Sequence, residues 1–145
     1  MKKIFCMLCY GVMLLAGINA AAFDKNCNEV SAWLAFPEKK ATPLIQEVDC
    51  GGKKLFRLKS HEGSTIAEMP FPEIPQGFEI NRGDCRLDGK LRYDIIAVVK
   101  HRNDTEISKN IHKAWIADPV SCSFRPVDEK KEIKKLECIN IGYGL

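Results

Sequence analysis

Asp88-Gly89-Lys90-Leu91-Arg92-Tyr93-Asp94-Ile95-Ile96-Ala97-Val98-Val99-Lys100 is the stretch on which the fold turns. Asp-Gly readily adopts the positive φ angles that a two-residue hairpin turn needs. The residues after it alternate. Leu91, Tyr93, Ile95, Ala97 and Val99 share one face of a strand, and Arg92, Asp94, Ile96, Val98 and Lys100 share the other. The second face is apolar only in its later half. That pattern predicts a central strand, open to water on one side at its start, in a hairpin running from Phe78 to Lys100.

Working upstream, Leu44 to Cys50 and Lys53 to Leu58 flank Gly51-Gly52, a second hairpin signal. A two-residue turn there sets Val48 opposite Leu55, Asp49 opposite Lys54 and Ile45 opposite Leu58, so like meets like and opposite charges meet. In Asn28 to Phe36, Val30, Trp33 and Leu34 follow the i, i+3, i+4 spacing of a helical face. Asn28 is a suitable cap and Pro37 a stop, so a short helix is expected. Downstream, the polar turn His101 to Glu106 leads to a strand over Ile107 to Ala117, ended by Pro119. Ser121 to Val127 and Lys135 to Ile141 then read as a final strand pair around the charged turn Asp128 to Lys131. The expected fold is mainly β: a small antiparallel β-sandwich or barrel of roughly six to eight strands with one short N-terminal helix.

The chain opens with Met1-Lys2-Lys3, an uncharged apolar run from Ile4 to Ile18, and Asn19-Ala20-Ala21-Ala22. These are the three regions of a cleavable secretory signal, and the apolar run is shorter than a bilayer span. Residues 1–22 are therefore read as a signal peptide and 23–145 as one β-rich domain exported to the periplasm or the exterior, with no membrane association after cleavage. Leu15-Ala16-Gly17 is followed by Ile18, not by the cysteine that lipid attachment requires. Losing Lys2 and Lys3 lowers the formal charge from +3 to about +1, which gives no electrostatic footprint for nucleic acid. Lys39-Lys40, Lys53-Lys54 and the lysines of 130–135 are read as solvated faces.

Of seven cysteines, Cys6 and Cys9 fall in the signal, leaving Cys27, Cys50, Cys85, Cys122 and Cys138. Export implies an oxidising compartment, and an odd number implies two bridges with one cysteine over. Cys27–Cys50 and Cys122–Cys138 are the expected pairs, with Cys85 spare.

Chemistry-bearing motifs are few. His61, His101 and His112 lack metal-ligand spacing to one another or to a cysteine of 23–145, so no metal or cofactor is expected. Arg82-Gly83-Asp84 is an integrin-type tripeptide, but it falls inside an expected strand, where Gly83 reads as a bulge. Asn103-Asp104-Thr105 is a glycosylation sequon made of turn residues. Trp33 and Trp115 are core aromatics or a sugar platform. The unusual segment is Ser60 to Gly77, where Pro70, Pro72 and Pro75 alternate with Met69, Phe71 and Ile74. Proline fixes φ and removes donors, so a stiff loop outside the sheets is expected. Met69, Phe71 and Ile74 then either fold onto the chain's own core or project toward a partner.

In plan, an exported β domain of this size with cysteine bridges resembles the bacterial periplasmic lysozyme inhibitors. No motif of that family is matched residue by residue, so no site residues carry over. The expected function is a non-enzymatic binding module recognising another protein, as inhibitors and immunity proteins do. The alternatives are a small envelope hydrolase whose site assembles only in space, or a polysaccharide or ligand binder. The processed protein should begin at Phe23 or at Ala21. Intact-mass measurement on exported material checks this, and a membrane-extracted form retaining residues 1–22 contradicts it.

Overall fold

A computed structural model describes residues 26–100 and 102–140. The expected signal peptide lies outside these residues, as do His101 and the tail from Ile141. Twelve strands follow in order: β1 (Cys27–Leu34), β2 (Leu44–Cys50), β3 (Lys53–Lys59), β4 (Thr65–Pro70), β5 (Phe78–Arg82) and β6 (Cys85–Leu87). Then come β7 (Lys90–Arg92), β8 (Ile95–Lys100), β9 (Ile107–Ser108), β10 (Ile111–Asp118), β11 (Ser123–Pro126) and β12 (Leu136–Ile139). They form three four-stranded antiparallel sheets with the orders β1-β2-β3-β4, β11-β10-β8-β5 and β7-β6-β12-β9.

The second sheet is the middle layer. On β8, Ile95, Ala97 and Val99 pack with Cys85, Leu136 and Cys138 of the third sheet, while Ile96 and Val98 pack with Ile45, Phe56 and Leu58 of the first. All five β8 residues are fully buried, which explains why the sequence there stops alternating in polarity and becomes a continuous apolar run.

The hairpin around Asp88-Gly89 forms, but it bends between layers. Phe78 pairs with Lys100 and Arg82 with Ile96 in the middle sheet, whereas Cys85 pairs with Arg92 and Leu87 with Lys90 in the third. The arms cross at Gly83-Asp84 and Tyr93-Asp94. Gly83 holds a φ of +82° against Trp33, whose Nε1 donates to the Tyr93 carbonyl oxygen at 2.8 Å. Buried Asp94 accepts a two-pronged contact from Arg92 at 2.8 and 2.6 Å. Two cross-ties join layers at this corner. Arg82 of β5 reaches fully buried Glu47 on the inner face of β2 at 2.6 Å. Asn81 of β5 donates to the Ile139 carbonyl oxygen of β12 at 2.9 Å.

Several expectations are corrected. Twelve short strands stand against the expected six to eight, and Ile107 to Ala117 is not one strand but divides into β9 and β10, which lie in different sheets. Asn28 to Phe36 is not a helix: β1 occupies Cys27–Leu34 and pairs with β2 throughout. Its three apolar residues do not share a face. Trp33 turns to the core, Leu34 is 46% exposed, and Val30 sits in a bulge at 51% exposed. A run this short has little helical stability of its own, so the sheet wins.

The segment after Ser60 is not wholly a loop. Thr65–Pro70 is β4, and its one proline, Pro70, is tolerated because β4 is the sheet's edge. The segments after Pro119 do not pair with each other: β11 joins β10, and β12 lies between β6 and β9. Consequently Cys122 does not pair with Cys138. The bridges are Cys27–Cys50 and Cys85–Cys138, each between direct cross-strand partners. The Cys122 thiol lies 3.8 Å from the Pro119 carbonyl oxygen instead.

A Cβ at Gly83 meets Trp33 Nε1 and the Tyr93 carbonyl oxygen at 2.9 Å, whereas at Gly77, with φ +79°, it meets nothing within 4 Å. Gly77→Ala should lose about 1 kcal/mol of stability for its backbone conformation alone. Gly83→Ala should lose about 2 kcal/mol more for the blocked wall. Urea melts of the two variants check the difference, and equal losses overturn the rigid corner.

Candidate binding surface

Past β4 the chain runs Phe71-Pro72-Glu73-Ile74-Pro75-Gln76-Gly77 into β5. Of the expected site residues, Phe71 and Ile74 lie on this passage and Met69 just before it on β4, each in different surroundings. Met69, on β4, stands opposite Phe56 and packs against the core between the first two sheets. Phe71 stacks on Phe56 with ring centroids 5.3 Å apart, and Lys54 Nζ lies 5.6 Å from its ring. The Phe71 amide donates to the Lys54 carbonyl oxygen at 3.1 Å. Ile74, by contrast, is 36% exposed. The passage closes with a turn in which the Phe78 amide donates to the Pro75 carbonyl oxygen at 3.1 Å. The result is a stiff arch with two apolar anchors inside and one apolar residue outside.

The arch borders β10. Pro72, Glu73 and Pro75 on one side and His112, Lys113 and Trp115 on the other enclose a groove of about 250 Å³. Trp115 is half-buried and offers an aromatic wall, His112 lies 5.5 Å from the Phe78 ring, and Glu73 and Lys113 supply opposite charges at the rim. The sequence marks the arch and Trp115 separately, but nothing local in it brings His112, Lys113 and Trp115 beside the arch, because they lie far away in the chain.

Other motifs resolve structurally. Arg82-Gly83-Asp84 is built into the corner: Arg82 is held by Glu47, Gly83 by Trp33, and the Asp84 backbone by Asn81 and Ile139. Trp33 meets Phe56 edge-on at 6.2 Å. In the turn after β8, a hydrogen-bonded Arg102 guanidinium holds the exposed Asp104 carboxyl below its ordinary range. Among the described residues no group of three His, Cys, Asp or Glu side chains is placed to hold a metal ion, and no helix is long and apolar enough to cross a membrane. His61 contacts Glu62 at 3.7 Å.

A second, larger cleft of about 470 Å³ gathers Lys39, Lys40, Lys59 and His61 at one end of the first sheet. Sequence reading assigned Lys39-Lys40 to a solvated face, since only strand register reveals that Lys59 stands beside them. Comparison with protein-family models, curated proteins and solved structures finds no match.

The anchors and the exposed residue should respond differently to truncation. Phe71→Ala removes a ring stacked on the core and should cost about 2 kcal/mol, below the roughly 3–5 kcal/mol of a fully buried phenylalanine. Ile74→Ala should change stability by no more than about 0.5 kcal/mol. Chemical denaturation of both variants checks the contrast, and a neutral Phe71→Ala contradicts the anchoring.

Proposed function

We propose that this chain is an exported, non-enzymatic binding module that recognises a protein partner, in the manner of an inhibitor or immunity protein, through the arch Pro70 to Pro75 and the groove beside β10. The observation that carries this reading is the division of labour along the arch. Met69 and Phe71 are spent on the core, while Ile74 is held outward between prolines. A segment fixed in this way loses little conformational entropy on docking, and that saving goes into affinity. The groove alongside supplies an aromatic wall and charges of both signs, the composition of an interface centre with a polar rim. Two disulfides are compatible with an oxidising, extracytoplasmic location.

Trp115 favours one second reading, a saccharide stacked in the same groove. Its aromatic face is suited to a sugar ring, although the groove is small for a ligand site.

Immobilised protein comprising residues 23–145 should retain a partner from envelope extract. Ile74→Asp should weaken that capture at least tenfold with the melting temperature unchanged, as loss of an interface hot spot does. Glu73→Lys should weaken it through the rim. Undiminished capture by both folded variants removes the arch from the function. Retention of a soluble oligosaccharide in place of a protein favours the second reading.

A further inference from the structure

The cleft at the end of the first sheet is a different site. Its floor is a registered row on the sheet's outer face: Leu34 pairs with Leu44, and Leu44 with Lys59. Its walls are the β1–β2 connection, carrying Lys39, Lys40 and Thr42, and the β3–β4 turn, carrying Ser60 and His61. Both walls are pinned. The Ala35 amide donates to the Pro43 carbonyl oxygen at 3.0 Å, and the Phe36 amide to Thr42 Oγ1 at 2.8 Å. The Ser60 amide donates to the Ser64 carbonyl oxygen at 2.8 Å.

Its lining charges are of one sign. Among the described residues none of those lining the cleft is acidic, and the carboxylate in contact with its wall is Glu62, 3.7 Å from His61. Lys54, Lys109 and Lys135 each meet a carboxylate elsewhere on the surface, but among the described residues Lys39, Lys40 and Lys59 form no salt bridge. Lys39 Nζ instead lies over the Phe36 ring, 4.4 Å from its centroid, a contact that positions an ammonium without neutralising it. Three like charges around a concave surface repel one another and concentrate a positive field. The floor is apolar, with Leu34 46% exposed.

We propose that this cleft binds a phosphate-class dianion attached to an apolar body, with Lys39, Lys40 and Lys59 neutralising the anion and Leu34 and Leu44 taking the apolar part. The dianion answers the clustered ammonium groups better than a single carboxylate, since each lysine gains a charge-assisted contact. The leucines extend the site past a bare ion. The inference is independent of the arch, which the Ile74 variants test.

Titrations followed by amide NMR at constant ionic strength decide it, using inorganic phosphate, hexyl phosphate and hexanol on the protein comprising residues 23–145. Saturable shifts at Leu34, Thr42, Leu44 and Gly63 are expected with both phosphates, hexyl phosphate binding at least tenfold more tightly and hexanol not binding. Lys39→Gln with Lys59→Gln should weaken hexyl phosphate at least tenfold at an unchanged melting temperature. Lys40→Gln, on an exposed loop, gives a second charge variant if the double one folds poorly, and should weaken it severalfold. Inorganic and hexyl phosphate binding alike overturns the apolar body and leaves a simple anion site. No saturable shift at the cleft, hexanol matching hexyl phosphate, or charge variants that bind as the parent does overturns the site.

Discussion

Five consecutive residues of β8, Ile95 to Val99, have no face left for water. A strand ordinarily shares its side chains between one core and solvent. This one divides them between two cores, and every other layer is positioned by that division. The first sheet exists as a packed layer because Ile96 and Val98 offer it a surface, and the third because Ile95, Ala97 and Val99 do. Full burial of each Ile or Val side chain is worth roughly 1.5–3 kcal/mol, and four of the five residues are Ile or Val. A polar residue at any of them is buried in one core or the other, with no outward face to turn to.

Feeding two layers from one hairpin requires a corner, and the corner explains the buried polar residues. A strand leaving one sheet for another breaks its ladder, so the freed groups need partners. Asn81 Oδ1 accepts the Asp84 amide, the Tyr93 carbonyl oxygen accepts from Trp33, and the Asp94 carbonyl oxygen accepts the Ala117 amide at 2.8 Å. Glu47 and Arg82 tie the first sheet to the same place. One Glu47 oxygen accepts from Arg82, while the other has no hydrogen-bond partner among the described residues, with Lys54 4.0 Å away. Such a pair is costly to desolvate and adds little net stability against an apolar replacement, but removing Arg82 alone strands a buried charge.

Local chemistry was readable from the sequence, and long-range choice was not. The β2–β3 register holds at Val48 with Leu55, Asp49 with Lys54 and Ile45 with Leu58, because a two-residue glycine turn leaves one way to fold back. The Asp88-Gly89 turn is where its chemistry puts it. What alternation cannot express is the sheet that a strand joins. β7 and β8 read as one strand because the pattern runs unbroken through Tyr93-Asp94, and only Gly83 across the hairpin signals the bend. β11 and β12 read as partners because they are consecutive, yet they lie in different layers. The error in the cysteines follows directly from that one. The arch was legible as a stiff segment, but which of its apolar residues faces outward depends on Phe56, a residue of β3. The lysine cleft was invisible because it needs Leu34, Leu44 and Lys59 brought into one row by pairing.

The two bridges differ in what they ask of the chain while it is being made. Cys27–Cys50 closes over 23 residues, with no other cysteine between its ends. Cys85–Cys138 closes over 53 residues and passes across Cys122. Where thiols are oxidised as they emerge, Cys85 meets Cys122 before Cys138 exists, and the nearest available partner is the wrong one. Reaching the native pairing then requires thiolate attack on a formed disulfide, guided by the fit of β6 against β12. Under those conditions the Cys138 thiolate must attack Cys85 and release Cys122, so maturation involves reshuffling a bond as well as forming one.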